Sequence, residues 1–314
     1  MKTSVISKVR ENIAKVIVGQ DQVTKLIMTA ILANGNILIE DMPGTGKTVL
    51  SSSLAKSIGG TFSRIQFTPD LLPSDVTGIN YYNQNEGEFV FKEGPAFCNI
   101  LLADEINRAT PRTQSSLLEC MAEKQITVDG VTRKLEKPFF VIATQNPIET
   151  LGTYPLPEAQ LDRFMMRINM DSPSKSTEMA ILNRFLKDQP LETLSSVCTA
   201  KEIAEISDKI KDEIYIHPLL IEYIADIAVA SRQQKNVQAG ISPRASLAML
   251  SAARAYAFIS GRNYVVPEDI KELAPHVFAH RIKLGGAISP VSEQKKVIDT
   301  LLSSVPLTTE EWSK

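Results

Sequence analysis

Short apolar runs alternate with helical segments through the first half of the chain, and this alternation limits the folds that are possible. The runs lie at residues 37–40, 62–67, 100–103 and 139–143, and each has the length of a strand. Strands that alternate with helices form parallel sheets, which need helices on both faces because both faces are apolar. The amino-terminal part is therefore predicted to be an α/β domain.

The pattern changes near residue 171, where a short stretch of Asp, Ser and Pro interrupts it. After this stretch no further strand is indicated, and helical periodicity with punctuating prolines continues to the last residue. The expected organisation is a core at residues 1–170 followed by a small all-α domain at 175–314.

Two hairpins are expected as insertions in the core. Residues 78–92 combine turn-forming residues with a short aromatic alternation, Gly-Glu-Phe-Val-Phe. Residues 125–135 alternate around Asp129-Gly130, a pair typical of tight hairpin turns because such turns need positive φ. Both segments are predicted to lie outside the parallel sheet.

The composition argues against several function classes. The 314 residues are 43% hydrophobic and 22% charged, the net charge is -2 at pH 7, and no basic strip of useful length is present. This balance argues against binding to nucleic acid or to an anionic membrane surface. The chain begins without an apolar signal core, and no apolar run approaches the roughly 18 to 20 residues that cross a bilayer. We therefore expect no membrane span.

The cysteines and histidines do not predict a metal site. Cys98, Cys120 and Cys198 are odd in number and widely spaced, so they fit buried thiols of a reduced, cytoplasmic protein. The histidines are equally scattered and are expected to be structural; they are His217, His276 and His280.

A glycine-rich turn follows the first apolar run and precedes a helix. The glycines let the backbone curl so that successive N–H groups face one anion, and the helix amino terminus adds the positive end of its dipole. In such a loop Lys47 reaches the β- and γ-phosphates of a nucleotide, and the Thr48 hydroxyl holds Mg²⁺. The nucleotide-binding residues predicted from this motif are Pro43, Gly44, Thr45, Gly46, Lys47, Thr48 and Val49.

Two carboxylates, Asp104 and Glu105, directly follow the third apolar run. After a phosphate loop, the first acid is expected to hold Mg²⁺, mostly through water, and the second to polarise the attacking water. The other interpretation is a strand end whose acids face solvent. The order of the two motifs along the chain favours the metal and water roles.

The fourth apolar run also ends in polar residues, Thr-Gln-Asn-Pro. Its Asn146 is predicted to bridge the attacking water and the γ-phosphate. Asn before Pro is a common turn signal as well, so a purely structural turn is the alternative here.

These motifs in series resemble the MoxR family of AAA+ ATPases across most of residues 16–170. The resemblance rests on Gly-Lys-Thr, Asp-Glu-Ile-Asn-Arg-Ala, Ala-Thr-Gln-Asn-Pro and Tyr-Pro-Leu-Pro-Glu-Ala-Gln-Leu-Asp-Arg-Phe, and continues more loosely through residues 242–244 and 280–281. Asp41 replaces the usual first glycine of the phosphate loop, a position that varies in the family. The resemblance implies a parallel-sheet AAA+ core with a helical lid, which hydrolyses ATP with Mg²⁺.

The resemblance also implies a ring, usually a hexamer, in which one subunit inserts an arginine at its neighbour's γ-phosphate. By its place in Leu-Asp-Arg-Phe, Arg163 is similar to that arginine, and a salt bridge to Asp162 or Glu158 is the structural alternative. Arg244 is similar to the sensor arginine of the lid, which could act on its own or on a neighbour's nucleotide.

Further parts of the chain gain a role only from the resemblance. Gly19 and Gln20 correspond to the adenine-binding segment, while Arg108 and Arg112 could line the subunit boundary or be solvated surface charges. The two hairpins resemble insertions that project into the pore or onto the face of the ring. Family members are chaperone-like and commonly act with a partner that carries a von Willebrand factor A-type domain, on a client that the sequence does not name.

Other function classes compete with a ring-forming motor. A nucleotide-gated scaffold would bind ATP and assemble with little turnover, but it would not need the water-polarising Glu105. A nucleic-acid remodeller of the same AAA+ branch would need a basic stripe with aromatic residues, which the composition argues against. A small-molecule P-loop kinase would lack the trailing Arg163 and the helical lid with Arg244.

Overall fold

The computed structural model of the protein describes residues 2–40, 44–146, 152–170, 172–186, 189–285 and 291–307. The amino-terminal elements are, in chain order, α1 (Lys2–Ala14), α2 (Asp21–Leu32), β1 (Ile37–Glu40), α3 (Lys47–Ser57), β2 (Phe62–Gln66), α4 (Pro73–Thr77), β3 (Gly78–Asn83), β4 (Glu88–Glu93), β5 (Ile100–Asp104), α5 (Pro111–Glu123), β6 (Gln125–Val128), β7 (Val131–Lys134), β8 (Phe140–Gln145), α6 (Glu158–Leu161) and β9 (Met166–Asn169). The carboxyl-terminal elements are α7 (Lys175–Phe185), α8 (Ala200–Glu213), α9 (Pro218–Gln233), β10 (Val237–Ala239), α10 (Pro243–Ile259), α11 (Pro267–Val277), β11 (Lys283–Leu284) and α12 (Val291–Ser304).

Five strands form one parallel sheet in the order β2-β5-β8-β1-β9. β1 lies between β8 and β9, with Ile37 opposite both Ile142 and Met166. The predicted fold class, a parallel sheet with helices on both faces followed by a helical region, is confirmed. The sequence pattern did not predict β9, which completes the sheet.

The sheet is buried on both faces because alternate side chains of a strand point in opposite directions. Ile37 and Ile39 pack in one apolar core with residues of α1, α2 and α3, while Leu38 packs in a second core with residues of α5. The first core continues without a break into α8 to α12. The carboxyl-terminal helices, hereafter the lid, are therefore attached to the core domain by shared apolar packing.

Two antiparallel hairpins, β3–β4 and β6–β7, project from the core domain. They touch each other: Asn80 donates from its Nδ2 to Oδ2 of Asp129 at 2.6 Å. The guanidinium of Arg133 lies 3.7 Å from the ring centroid of Phe91, a cation–π contact between the two hairpins. These contacts join the hairpins side by side.

The lid contains a short antiparallel pair, β10 with β11, in addition to its helices. An all-α lid was predicted, and the difference arises because strands of three and two residues are too short to show a periodicity of their own. Helix starts follow local chemistry: Ser242 accepts a hydrogen bond from the N–H of Ala245 and begins α10. None of the described helices is long and apolar enough to cross a membrane.

Candidate active site

The carboxyl ends of β1, β2, β5 and β8 meet at one edge of the sheet, where they enclose a cavity of about 390 Å³. Open parallel sheets bind their ligands at this edge. The cavity is lined by Gly44, Thr45, Gly46, Lys47, Thr48, Val49, Arg64, Gln66, Asp104, Glu105, Thr144, Gln145 and Asn146. It therefore joins the predicted phosphate loop, the predicted acidic pair and Asn146.

Gly44 and Gly46 give the phosphate loop its curled shape. Their φ angles are +89° and +87°, and an added Cβ at either position would meet no atom within 4 Å. Glycine is therefore required by the left-handed backbone and not by lack of space. The helix α3 begins at Lys47, directly after Gly46, so its amino terminus adjoins the cavity. The predicted Pro43 lies outside the described residues, as does Asp41.

Two side chains hold the carboxylate of Asp104. Thr144 donates from Oγ1 to Oδ1 at 2.6 Å, and Arg64 donates from Nη2 to Oδ2 at 2.7 Å. The Thr144 side chain is buried, whereas that of Arg64 is 46% exposed. One oxygen is thus fixed by a buried hydroxyl and the other by a side chain that can move into solvent.

Glu105 adopts the left-handed conformation, with φ +54°. Such a backbone costs a non-glycine residue of order 1–3 kcal/mol and is concentrated at functional sites. The N–H of Glu105 donates to Oγ1 of Thr144 at 2.9 Å, which helps to hold it. Gln66 Nε2 lies 2.7 Å and Arg108 Nε 3.0 Å from the same carboxylate oxygen, Oε2. The carboxylate is therefore oriented through one of its two oxygens.

The polar residues that end β8 form the third wall of the cavity. Asn146 is buried and follows the strand directly. Oε1 of the preceding Gln145 is also buried and makes no hydrogen bond within the described part of the chain. A buried acceptor of this kind is satisfied by a water or a ligand donor.

Sequence reasoning gave no role to several cavity residues that contact the acids. Arg64 and Gln66 lie on β2, and Gln66 is opposite Asp104 in the sheet register. The order of strands in the sheet, which the sequence pattern does not provide, brings these residues together. Thr144 precedes the predicted Asn146 by two positions, and a hydroxyl at the end of a buried strand was the signal that could have found it.

The two predicted arginines lie outside this cavity. Arg163 is exposed and donates from Nη1 to the carbonyl of Leu118 at 3.0 Å. The salt bridges weighed as its alternative role are absent among the described contacts, since Asp162 pairs with Arg281 at 2.7 Å and with Arg244 at 3.8 Å. Arg244 lies in the first turn of α10 with its side chain 60% exposed.

The predicted adenine-binding residues lie where α7 meets the core domain. Gly19 has φ +73°, and a Cβ there would come within 2.7 Å of Thr177 Cγ2. Gln20 precedes the first residue of α2. Neither residue lines the phosphate cavity. Of the arginines with open roles, Arg108 binds Glu105 within the chain and Arg112 is an exposed residue of α5.

A buried ion pair lies next to the phosphate loop. Glu40, the last residue of β1, has Oε1 3.6 Å from Nη1 of Arg167 on β9, and both side chains are 7% exposed. Burial raises the pKa of Glu40, against the opposing effect of Arg167 and Lys295, and burial lowers the pKa of Arg167. Arg167 also hydrogen-bonds Gln294 of the lid.

The cysteines and the buried histidine take no part in the cavity. Burial raises the pKa of Cys98 to about 11, of Cys120 to about 12 and of Cys198 to about 11, so the thiols are protonated at neutral pH. Burial also lowers the pKa of His280 well below its usual value. Across the described ranges, no three His, Cys, Asp or Glu side chains gather as a metal cluster.

Known proteins match the chain over most of its length. Residues 36–166 match the family described as ATPase family associated with various cellular activities (AAA), and residues 229–301 match the AAA lid domain. The uncharacterized protein YeaC of Bacillus subtilis is 49% identical over 279 residues, which are 89% of this chain and 87% of the relative. Chaperone MoxR1 of Mycobacterium tuberculosis is 41% identical over 310 residues, which are 94% of this chain and 80% of the relative.

A crystal structure of a protein from Cytophaga hutchinsonii shares the fold, with a TM-score of 0.90 and 39% identity over 98% of this chain and 96% of that one. The AAA match includes the phosphate loop and the acidic pair, and the lid match includes Arg244. The resemblance predicted from the motifs is thus confirmed over the core domain and the lid. The chain is an ATPase, and it belongs to the MoxR family of AAA+ proteins.

Proposed function

We propose that the protein is a ring-forming, Mg²⁺-dependent ATPase that uses hydrolysis to remodel or mature a partner protein. The observation that carries the proposal is the meeting of Lys47, Asp104 and Glu105 around one cavity at the sheet edge. A cation for the phosphates, an acid for the metal and an acid for the attacking water are the parts that phosphoanhydride hydrolysis requires.

The oxygen donors of the cavity suit Mg²⁺. Thr48 supplies a hydroxyl and Asp104 a carboxylate, both hard ligands of the kind that Mg²⁺ prefers, and both line the same cavity. Bound there, Mg²⁺ would neutralise charge on the β- and γ-phosphates. Arg64 holds Oδ2 of Asp104 in this structure, so we expect its exposed side chain to release that oxygen when the metal binds.

Glu105 is the residue we assign to the attacking water. Gln66 and Arg108 both bind its Oε2, and we assign its Oε1 to accept a hydrogen bond from the water. Asn146 follows the neighbouring strand and is assigned to orient the same water against the γ-phosphate. Lys47 and the backbone N–H groups from Gly44 onward stabilise the charge of the phosphates.

Arg163 is assigned to a neighbouring subunit's nucleotide. It is exposed and outside its own cavity, which is where a residue that acts across a subunit boundary has to lie. Such an arginine contributes about 10³ to 10⁵ in rate. Arg244, exposed on the lid, is assigned to sense nucleotide, and Gly19 with Gln20 to the adenine side of the site.

The exposed hairpin β3–β4 is assigned to contact with a protein partner. Tyr82 is 54% and Phe89 73% exposed, and their rings stack edge to face 5.4 Å apart. Large apolar side chains grouped at a surface mark interaction sites. One relative is named a chaperone, which supports a remodelling role. The location in the cytoplasm, a von Willebrand factor A-domain partner and a separate client are proposed from the family resemblance.

The central experiment compares phosphate release and ATP binding in the wild-type protein and the Glu105→Gln variant. We expect steady release from the wild type that disappears in the variant, while binding of Mg·ATP persists. Proteins that co-purify with the variant, trapped before hydrolysis, would identify the partner and client. Equal phosphate release by Glu105→Gln would contradict the role given to Glu105.

Two outcomes would favour the other function classes. Negligible phosphate release even with the co-purified partner would favour a nucleotide-gated scaffold. Strong stimulation of release by DNA or RNA would favour a nucleic-acid remodeller, against which the net charge of -2 argues.

A further inference from the structure

Arg281 of the lid is bound to the short segment of the core domain that carries Arg163. Its Nε donates to Oδ1 of Asp162 at 2.7 Å, and its Nη2 donates to the carbonyls of Asp162 at 3.1 Å and Phe164 at 2.9 Å. Its Nη1 donates to the carbonyls of Met165 at 3.2 Å and Val277 at 2.7 Å. All five N–H groups of the guanidinium are thereby used, four of them on residues 162–165.

The surroundings make this attachment rigid. The Arg281 side chain is 3% exposed, so these hydrogen bonds are shielded from water. His280, its neighbour in the lid, places Nε2 3.0 Å from the carbonyl of Phe164. Phe164 is fully buried in the core domain, and the N–H of Met165 donates to Asn36 at 2.7 Å. The backbone on both sides of Arg163 is therefore fixed to the lid.

The side chain of Arg163, in contrast, is lightly held. It is exposed, and among the described residues it makes one hydrogen bond, from Nη1 to the carbonyl of Leu118. A fixed backbone with a lightly held, exposed side chain suits a residue that has to be aimed at a target outside its own chain.

Asp162 also links the segment to the sensor arginine. Its Oδ1 binds the buried Arg281 at 2.7 Å, while its Oδ2 lies 3.8 Å from the 60% exposed Arg244. An exposed pair at this distance contributes little, whereas the buried hydrogen-bonded pair is strong. Arg244 can therefore leave Asp162 for a nucleotide while Arg281 keeps the segment in place.

We infer that Arg281 is a positioning residue for Arg163: by binding the backbone on both sides, it aims Arg163 at the neighbouring subunit as long as the lid is docked. The inference rests on the proposed role of Arg163. It assigns to a lid residue an effect on hydrolysis in the next subunit. A change of Arg281 should therefore leave its own subunit's site intact and impair the site that its Arg163 serves.

Mixed assemblies test this prediction. Arg281→Ala alone should bind ATP within about twofold of wild type but turn over at least about tenfold more slowly, because a misplaced charge stabilises the transition state poorly. In a 1:1 mixture of Arg281→Ala with Glu105→Gln, an Arg281→Ala subunit still has its own Glu105. If its neighbour in the ring is a Glu105→Gln subunit, that neighbour still has Arg281 and can place its Arg163 correctly at the Arg281→Ala subunit's nucleotide. Random mixing in a heterologous ring predicts about a quarter of the wild-type rate. A 1:1 mixture of Arg163→Ala with Glu105→Gln is the reference, because it tests in the same way whether Arg163 acts on a neighbouring subunit.

The outcomes separate the two hypotheses. Recovery of phosphate release to about a quarter of the wild-type rate in both mixtures supports the inference. Recovery in the Arg163→Ala mixture, with the Arg281→Ala mixture no faster than the sum of its parts, overturns the inference and leaves the role of Arg163 standing. No recovery in either mixture removes the assignment of Arg163 to a neighbour, and the inference falls with it.

A second variant covers the case in which Arg281→Ala does not fold, as judged by thermal unfolding. Arg281→Lys keeps a charge opposite Asp162 but has no planar fork to span the carbonyls of Phe164 and Met165. We expect the same pattern in this variant, namely slow turnover alone and recovery in the mixture. Full turnover by Arg281→Lys alone would overturn the inference.

Discussion

Gln66 donates a hydrogen bond to Glu105 across two neighbouring parallel strands, with Nε2 2.7 Å from Oε2. Arg108 binds the same oxygen, so Gln66 and Arg108 together set the direction of the carboxylate. A general base acts on water only when it is correctly oriented, so with Glu105 proposed as that base we expect Gln66 to contribute to hydrolysis although it has no charge.

Gln66→Ala should lower turnover about tenfold or more, as expected for the loss of one hydrogen bond to a charged group, and leave ATP affinity unchanged. Phosphate release and equilibrium ATP binding would be measured on the same preparation. Gln84→Ala, an exposed glutamine of the β3–β4 turn, is the matched control. Faster turnover in Gln66→Ala would mean that Gln66 restrains Glu105 instead of orienting it.

Thr144→Val should impair both stability and turnover. The hydroxyl binds Asp104 at 2.6 Å and accepts from the N–H of Glu105 at 2.9 Å, and the residue is 1% exposed. Its removal leaves buried polar groups without a partner, which costs about 1–3 kcal/mol of unfolding free energy. Chemical denaturation would measure this loss. Thr132→Val removes an exposed hydrogen bond between the hydroxyls of Thr127 and Thr132 in the β6–β7 hairpin, and it should hardly change the free energy of unfolding.

The candidate site residues that the sequence predicts most directly are those that depend on local order along the chain. A strand, a glycine-rich turn and a helix start follow one another within 37–57, so the phosphate loop and its Lys47 could be predicted from spacing alone. The same holds for Asp104 and Glu105, which follow directly after four buried strand residues, 100–103. Local patterns of this kind are independent of how the strands are arranged.

Other features depend on pairings that spacing does not show. Gln66 reaches Glu105 because β2 is the neighbour of β5, which follows from the order of the strands in the sheet. β9 was not predicted because it carries Arg167, whose charge is not typical of a buried strand. The charge is tolerated there because Oε1 of Glu40, on the neighbouring strand β1, lies 3.6 Å from Nη1 of Arg167. Four of the five hydrogen bonds of Arg281 join residues that lie 116 or more positions apart along the chain, and spacing does not show these pairings either.

Lys47→Ala should abolish measurable ATP binding. Lys47 opens α3 beside the curled loop and lines the cavity, so its ammonium is the cation best placed for the phosphates. The loss of a charge-assisted contact to a triphosphate should weaken affinity at least about 100-fold. Calorimetric titration with Mg·ATP would measure it, with the exposed Lys92→Ala as control. Unchanged affinity would remove the assignment of this loop.

Arg163→Ala should leave ATP binding nearly intact and lower turnover by at least about 100-fold, because the lost guanidinium stabilises charge that develops only in the transition state. Single-turnover hydrolysis at saturating ATP would separate this effect from binding. Arg112→Ala, a change of an exposed arginine of α5 that does not line the cavity, is the comparison. A full-rate Arg163→Ala protein would remove the role given to this residue.

The buried pair of Glu40 and Arg167 predicts a specific pH dependence of stability. Burial raises the folded-state pKa of Glu40 above its ordinary value of 4.5, so the folded protein retains this proton where the unfolded chain has lost it. The stabilisation from protonated Glu40 is fully present below pH 4.5 and is lost as the pH rises through the folded-state pKa. Glu40→Gln lacks this titration.

The variant should therefore gain stability relative to the wild type as the pH rises above about 4.5, by about 1.4 kcal/mol for each unit by which the pKa is raised. Chemical denaturation of the nucleotide-free protein at a series of pH values would measure the difference. Glu205→Gln, an exposed change on α8, should show no such trend. The contrary result is a stability difference, variant minus wild type, that falls as the pH rises. It would mean that the attraction of Arg167, 3.6 Å away, outweighs the effect of burial on the pKa of Glu40, and that the pair is held as two charges beside the phosphate loop.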